Sequence, residues 1–425
     1  MAEIRDPVHG YIKITAVERD LIDSPFLQRL RRIHQLAGSY LVYPGAVHTR
    51  FEHVIGTMHV AGEIAESIGP DPMKEEEIQE IRLAALLHDV GHGPFSHMYE
   101  EVLAQKSKAT HEDITQRIIL ETSVGDILEK HGFSRAQISP LAVGSQPRKP
   151  KFMNEIIAGG LSADIMDYLL RDSYFTGVEY GKVDVRRVMD SLQVTEDRLV
   201  LDEAALHAFE ALLLARYQMF KAVYFHRTVR AAELMLVHSM MLADDALSLT
   251  DLGDLRRYLD LTDEVVLYRL SSLGPSTEHQ REARNLAQGF LNRKLVKCVF
   301  ERLVQRKDKI VGQLFSKNRF REQVTSDIAE KAGVDPFHVF LDVPTTPSIP
   351  YTSSREALTQ VKVFRREGRH MVSETIPIGQ LPLVGSIAGF MDIIRVYTDR
   401  EHRHEVERAT TNLLGDGGYI TKISV

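Results

Sequence analysis

The chain has 425 residues, 44% of them hydrophobic and 26% charged, with a formal net charge of −7. That balance suits a globular protein of two or three domains and excludes both intrinsic disorder as its main character and a dedicated nucleic-acid coat. A single cysteine, Cys298, excludes an internal disulfide and a cysteine-rich zinc cluster, so any bound metal must rely on nitrogen and oxygen ligands.

The opening segment, MAEIRDPVHGYIKI, has no basic stretch ahead of an apolar run, so no signal peptide is expected and the cytoplasm is the expected compartment. Apolar residues at Phe51, Val54, Ile55, Met58, Ala61, Ile64, Ala65 and Ile68 predict a helix over 51–68, ended by Gly69-Pro70. The pattern repeats over 76–88 and breaks at Gly91 and Gly93-Pro94, which places His88 and Asp89 near a helix C-terminus. The stretch 132–151, rich in Pro, Gly, Ser and basic residues, reads as a loop. Further helices are expected over 111–122, 153–172, 204–224, 230–243, 278–304 and 320–332. The apolar run 234–243 falls well short of the ~20 residues that span a bilayer, so no membrane partner is expected. After Gly333 the character changes: four of the 16 prolines lie between Pro336 and Pro350, segments 360–365 and 393–398 suit short strands, and 400–414 suits a charged amphipathic helix. The expected fold is mainly α, with a helical core over 1–332 and a smaller C-terminal α+β region over 333–425, packed on the core and engaged in assembly.

Nine of the 18 histidines fall in the first 111 residues: His9, His34, His48, His53, His59, His88, His92, His97 and His111. Singly, each reads as a surface or hydrogen-bonded core residue; clustering with carboxylates is what marks a site. The densest cluster is HDVGHGPFSH, from His88 to His97. Adjacent His88 and Asp89 differ by about 100° around a helix and converge on one ion most easily where the helix ends. The Gly-x-Gly-Pro turn then lets His92 and His97 fold back over the same spot. His53 in HTRFEH, with Arg50 three residues earlier, is a second candidate, and Asp164 in ADIMDYLLRD a third. Asp164, Tyr168 and Asp172 recur at i, i+4, i+8 and share one helix face. His53, His88, Asp89 and Asp164 offer two imidazoles and two carboxylates, a set that suits Zn, Fe, Mn or Ni.

The strings RDPVHGYI, IDSPFLQRLRRIHQLAG, YPGAVHTRFEH, LLHDVGHGPFSHM, THE and DYLLRD occur in this order over residues 3–245. In them the chain resembles the HD-domain phosphohydrolases, and within these the SAM-and-HD-domain deoxynucleoside triphosphate triphosphohydrolases. The resemblance implies an HD-domain helical core whose metal ligands are His53, His88, Asp89 and Asp164. It implies catalytic roles for His111 and His97, with His92 beside the phosphates; Glu100 stands where the family has aspartate. It further implies that Gln35 and Leu36 read the deoxyribose, that Tyr168 and Asp172 meet its 3′-hydroxyl, that Tyr224 packs on the sugar, and that Arg50 and Arg216 contact phosphate. Arg216, Phe220 and Tyr224 recur at i, i+4, i+8, so one helix is expected to present all three; Phe220 replaces a polar family residue.

The activity implied is dGTPase-like hydrolysis of a dNTP to deoxynucleoside and triphosphate. In it, metal-bound water or hydroxide attacks the α-phosphorus, and Mg²⁺ accompanies the substrate triphosphate. The family also implies a dimer or tetramer and activation by GTP, dGTP or another dNTP. Asp23, Gln28 and Arg31 match the guanine-reading positions of a first activator site, although Ala2 and Glu3 stand where a basic residue is expected. At the second activator site Arg187 is retained, but Asp202 and Ala204 replace basic residues, so weakened activation is expected. The competing readings are another HD-type nucleotidase or phosphodiesterase, and a nucleotide sensor or single-stranded nucleic-acid binder.

Overall fold

Three threonines, each followed three residues later by an acid, decide where the key helices begin. In the computed structural model the backbone N–H groups of Thr15, Thr49 and Thr110 donate to Glu18, Glu52 and Asp113 at 2.8, 2.9 and 2.8 Å. This reciprocal capping opens the helices Ala16–Ile22, Arg50–Ser67 and His111–Glu121, so Arg50 and His111 each stand at a first helical position. The structure describes residues 2–68, 73–305, 314–315, 317–343, 360–367, 370–387 and 390–415.

The chain forms two compact units that interleave along the sequence. The first comprises Met1–Met219, Leu249–Val266 and Ile349–Gly385; the second comprises Phe220–Ser248, Leu267–Ser348 and Ser386–Val425.

The first unit opens with an antiparallel hairpin, β1 (Ala2–Asp6) and β2 (Gly10–Ile14), in register with Ile4 opposite Ile12. Its helical core sets the Arg50–Ser67 helix against those of Glu75–Leu87 and Ala163–Thr176. Leu21, Leu27, Leu30, Val54, Met58, Ala61, Leu86, Ile118, Met166 and Leu169 are fully buried there. A four-stranded sheet in the order β3 (Leu192–Thr195), β4 (Arg198–Asp202), β7 (Gln360–Glu367), β8 (His370–Pro377) belongs to the same unit, with β4 and β7 parallel.

In the second unit the Arg227–Leu247 and Glu278–Leu291 helices pack together. Strand β9 (Phe390–Thr398) lies between β5 (Lys297–Gln305) and β6 (Phe340–Asp342), antiparallel to both. Val299, Phe300, Val324, Ile328, Val396 and Val406 form its core.

The architecture is mainly α, as expected, with several differences in detail. The expected helix over 153–172 is two helices, Lys151–Ile157 and Ala163–Thr176, separated by a segment containing Gly159 and Gly160. The stretch read as a loop over 132–151 contains the helix Arg135–Ala142. The helix expected over 278–304 stops at Leu291, and its tail becomes β5, because β9 supplies a ladder partner nearly a hundred residues away in sequence. That pairing also means that the units do not divide at 332/333: β5 and β9 lie on opposite sides of that boundary, as do β4 and β7. Residues 344–350 of the proline-rich stretch lie outside the described residues. Among the described residues no helix is long and apolar enough to cross a membrane.

Gly56 lies where the Arg50–Ser67 helix packs against the Ala163–Thr176 helix. A Cβ there would collide with the side chains of Asp167 and Arg171 on the Ala163–Thr176 helix. Gly56→Ala is therefore expected to cost about 1–3 kcal/mol through overpacking. A lower melting temperature by differential scanning calorimetry, accompanied by reduced metal uptake, would confirm it; an unchanged melting temperature would refute it.

Candidate metal and active site

His88 forms the C-cap of the Glu75–Leu87 helix, and its Nδ1 lies 2.7 Å from the carbonyl oxygen of Ala85. Donation from Nδ1 to that carbonyl leaves Nε2 as a lone pair, and Nε2 is buried without a hydrogen-bond partner among the described residues. Around it stand the other three expected ligands. Asp89 Oδ1 lies 3.3 Å away and Asp164 Oδ1 3.8 Å away. His53 Nε2 is 3.1 Å from Asp164 Oδ1 and 3.7 Å from Asp89 Oδ2. Ligand atoms of His53, His88 and Asp89 lie within 4.8 Å of one another. Asp164 joins them from the first turn of the Ala163–Thr176 helix, where Ser162 is the N-cap and the helix end favours a carboxylate.

The field at this spot demands positive charge. Burial disfavours a charged His53, yet hydrogen bonds to the carboxylates of Asp164 and Asp167 push its imidazole up to about 10. Asp89 is held well below the usual carboxylate range, with His88 and Arg50 overcoming the desolvation that would raise it. A buried, unpartnered imidazole nitrogen and two ionised carboxylates converging on one point fit a divalent transition metal held by His53, His88, Asp89 and Asp164.

Asp167 positions this cluster and escaped the sequence reading. It is fully buried; its carboxylate lies 2.8 Å from His53 Nδ1 and 2.6 Å from His9 Nε2, and accepts from Arg171 at 2.8 and 2.9 Å. Arg171, also fully buried, donates to Asp6 at 2.8 Å. Asp6 in turn accepts the backbone N–H groups of Val8 and His9 at the hairpin turn.

A second array adjoins the metal-type cluster through Asp89. His92 Nε2 lies 3.3 Å from Asp89 Oδ1, and the rings of His92 and His111 stack with centroids 4.0 Å apart. Gly91 makes this possible, since a Cβ there would collide with the backbone of His111 and Thr115. Glu100 binds both remaining histidines, at 2.6 Å to His111 Nδ1 and 3.2 Å to His97 Nδ1. Those bonds hold Glu100 well below the ordinary range against the desolvation that opposes them. Glutamate thus reaches both imidazoles. Burial, Arg50 and His111 keep His92 neutral, whereas the side chain of His97 is 66% exposed. Arg50 forms an ion pair with Asp89 and donates from Nε to Ser96 Oγ at 2.8 Å.

The remaining expected residues divide between the units. Gln35 and Leu36 are half-buried beside the His34–Thr49 bridge, and Gln35 Oε1 is buried without a partner among the described residues. Arg216 bonds the Tyr168 hydroxyl, so two of the expected residues meet directly. Asp172 is 2% exposed and bonded at 2.8 Å to His48, which the sequence reading left unassigned. Tyr224 belongs to the second unit. The helix carrying Arg216 ends at Met219, and Phe220–Tyr224 is a π-helical turn, which breaks the i, i+4, i+8 register expected for Arg216, Phe220 and Tyr224. Of the expected activator residues, Asp23 is exposed at the end of the Ala16–Ile22 helix, while Arg31 donates to Gln28 at 3.0 Å.

Residues 50–172 match the HD domain, and residues 183–416 match the HD associated region. The chain belongs to the HD-domain family. It is 32% identical over 374 residues to the uncharacterized protein YwfO of Bacillus subtilis, covering 82% of this chain and 80% of that one. It is 31% identical over 319 residues to the deoxynucleoside triphosphate triphosphohydrolase SAMHD1 homolog of Dictyostelium discoideum, covering 71% of this chain and 60% of that protein. A crystal structure of a hypothetical protein from Aquifex aeolicus superposes with a TM-score of 0.76 at 31% identity, covering 96% of this chain and 99% of that one. The four residues of the metal-type cluster, His53, His88, Asp89 and Asp164, all fall inside the HD-domain match, residues 50–172.

Two expectations follow for this HD domain. Asp167→Ala removes two of the three carboxylate bonds of the buried Arg171, leaving only that to Asp6, and should destabilise the fold by about 3–5 kcal/mol. Asp167→Asn should weaken metal affinity by about 10–100-fold, as loss of an outer-shell carboxylate does. Denaturant unfolding and metal titration measure the two effects, and wild-type values in both would remove Asp167 from its assigned role. His34 gives a pH signature. Its hydrogen bond to Asp263 raises the imidazole above its ordinary value of 6.5 against partial desolvation. A raised folded value means a contribution fully present below the unfolded value and lost as pH rises through the folded one. The melting-temperature gap between wild type and His34→Gln should therefore be widest in mild acid and close towards alkaline pH; a gap that widens with pH contradicts this.

Proposed function

We propose that the protein is a metal-dependent hydrolase of phosphoric esters whose substrate is a deoxynucleoside triphosphate, released as deoxynucleoside and triphosphate. The observation that carries this reading is the position of Asp89, shared between the metal-type cluster and the His92–His111 stack that Glu100 anchors. Phosphoryl transfer calls for charge neutralisation and positioned proton transfer rather than covalent help from the protein, and this arrangement offers both side by side. The similarity to the Dictyostelium deoxynucleoside triphosphate triphosphohydrolase homolog supports the choice of substrate.

His53, His88, Asp89 and Asp164 would hold a divalent transition metal, which would supply Lewis-acid charge and lower the pKa of water toward about 7. The substrate triphosphate would carry Mg²⁺. Arg50 and Arg216 offset phosphate charge, and neutral His92 offers a hydrogen bond. A proton passes to the departing 5′-oxygen from His111 or His97, each oriented through Nδ1 by Glu100. The unpaired Gln35 Oε1 supports a contact to a donor group of the substrate, with Leu36 against the deoxyribose and Tyr168 and Asp172 at its 3′-hydroxyl. Tyr224 is assigned to the sugar face, and Asp23, Gln28 and Arg31 to a weakened nucleotide-activator site of a homodimer or homotetramer.

Purified, metal-analysed protein is to be incubated with each of the four dNTPs, with and without GTP, and the products identified by chromatography. Deoxynucleoside plus triphosphate is expected. His111→Ala should lower kcat by about 10²–10⁴-fold while dNTP binding persists, if it is the general acid; otherwise His97→Ala should do so. Formation of dNMP plus pyrophosphate, or turnover of nucleoside monophosphates or cyclic nucleotides alone, would overturn the assignment.

A further inference from the structure

In the second unit, strands β6 and β9 pair with Phe340 opposite Tyr397 and Leu341 opposite Val396. Continuing that antiparallel register by two residues sets His338 opposite Asp399. The contact is made: His338 Nδ1 lies 2.6 Å from Asp399 Oδ2. Asp399 also opens the turn into the Arg403–Leu414 helix, its Oδ1 accepting the backbone N–H groups of Glu401 and His402 at 2.9 and 3.0 Å. The same turn brings His402 Nδ1 to 2.9 Å from both carboxylate oxygens. The two imidazole rings stand with centroids 4.4 Å apart.

We propose that His338, Asp399 and His402 form a second divalent-metal site, separate from the HD-domain cluster. One ligand atom from each residue lies within 4.8 Å of the other two, the spread that a single ion can bridge. Asp399 is locked by two backbone bonds before any ion binds, so little ordering cost remains. Two imidazoles with one carboxylate select a transition ion of the Zn²⁺, Ni²⁺ or Co²⁺ type over Mg²⁺ or Ca²⁺. The three side chains are 38, 33 and 31% exposed, which leaves an open side for water to complete the coordination. Arg400 and Arg403 flank the turn but are exposed, so solvent and salt screen their repulsion of a cation. Held this way, the ion clips the start of β6 to the turn between β9 and the following helix.

The experiment uses the full chain, stripped by chelator and then dialysed against Zn²⁺ alone, with bound metal counted by mass spectrometry. Two ions per chain are expected for wild type. His338→Gln/His402→Gln should bind one ion and keep its helical circular dichroism, and His88→Ala should also bind one. His404→Gln controls for ordinary surface histidines and should retain both. Co²⁺ substitution of His88→Ala should give a visible d–d absorption that disappears when His338→Gln/His402→Gln is added. If the double variant binds as many ions as wild type, or the Co²⁺ band survives its introduction, the second site does not exist.

Discussion

The buried carboxylate of Asp167 is the interaction on which the rest of the first unit depends. An ionised group without water is costly unless every lone pair finds a donor. Asp167 meets that demand with His9, His53 and the Nε and one terminal nitrogen of Arg171, whose other terminal nitrogen reaches on to Asp6. One charge thereby ties the N-terminal hairpin, the Arg50–Ser67 helix and the Ala163–Thr176 helix into a single arrangement. Gly56 is the steric counterpart of that electrostatic requirement, since only a residue without a side chain leaves room for the Asp167–Arg171 pair.

The same logic runs through the site that this frame supports. Asp89 faces His53 and His88 on one side and His92 on another, with Arg50 offsetting its charge. Removing Asp89 would therefore disturb both the metal cluster and the histidine stack. The sharp turn that follows it is held in unusual backbone geometry: Phe95 and Ser96 adopt φ of 57° and 55°, in the region that favours glycine. Bonds from the Phe95 N–H to Asp263 and from Ser96 Oγ to the His34 carbonyl oppose relaxation there. The strained pair immediately precedes His97, at the start of the helix that carries Glu100.

Helices were readable because their signal is local. The apolar stripe over 51–68 and the breaks at Gly91 and Gly93-Pro94 located the Arg50–Ser67 helix and the end of the Glu75–Leu87 helix to within a residue or two. Strand β5 was not readable, since the apolar residues of 295–303 fit a continuing helix equally well and the partner that decides the matter, β9, is remote in sequence. The four metal-type ligands were legible by residue chemistry and motif. Asp167 was not: it lies three residues from Asp164, off the face that Asp164 shares with Tyr168 and Asp172, and its partners His53 and His9 are 114 and 158 residues away. The RDPVHG string did carry a signal, because it holds both Asp6 and His9, but nothing local says that they reach Asp167 and Arg171.

Counting histidines located the site, but a histidine's role follows from what its Nδ1 binds. His53 is oriented by Asp167, His88 by the Ala85 carbonyl, and His97 and His111 by Glu100. In each case one ring nitrogen is committed to an acceptor, so the other is aimed and its tautomer is set. His338 and His402 likewise gather around one carboxylate, Asp399, although neither stands out by motif or by clustering in sequence. The residues that choose an imidazole's function are thus the acceptors behind it. Glu100 shows the consequence: it binds two histidines at once, so the effect of removing either depends on whether the other can still be oriented by the carboxylate they share.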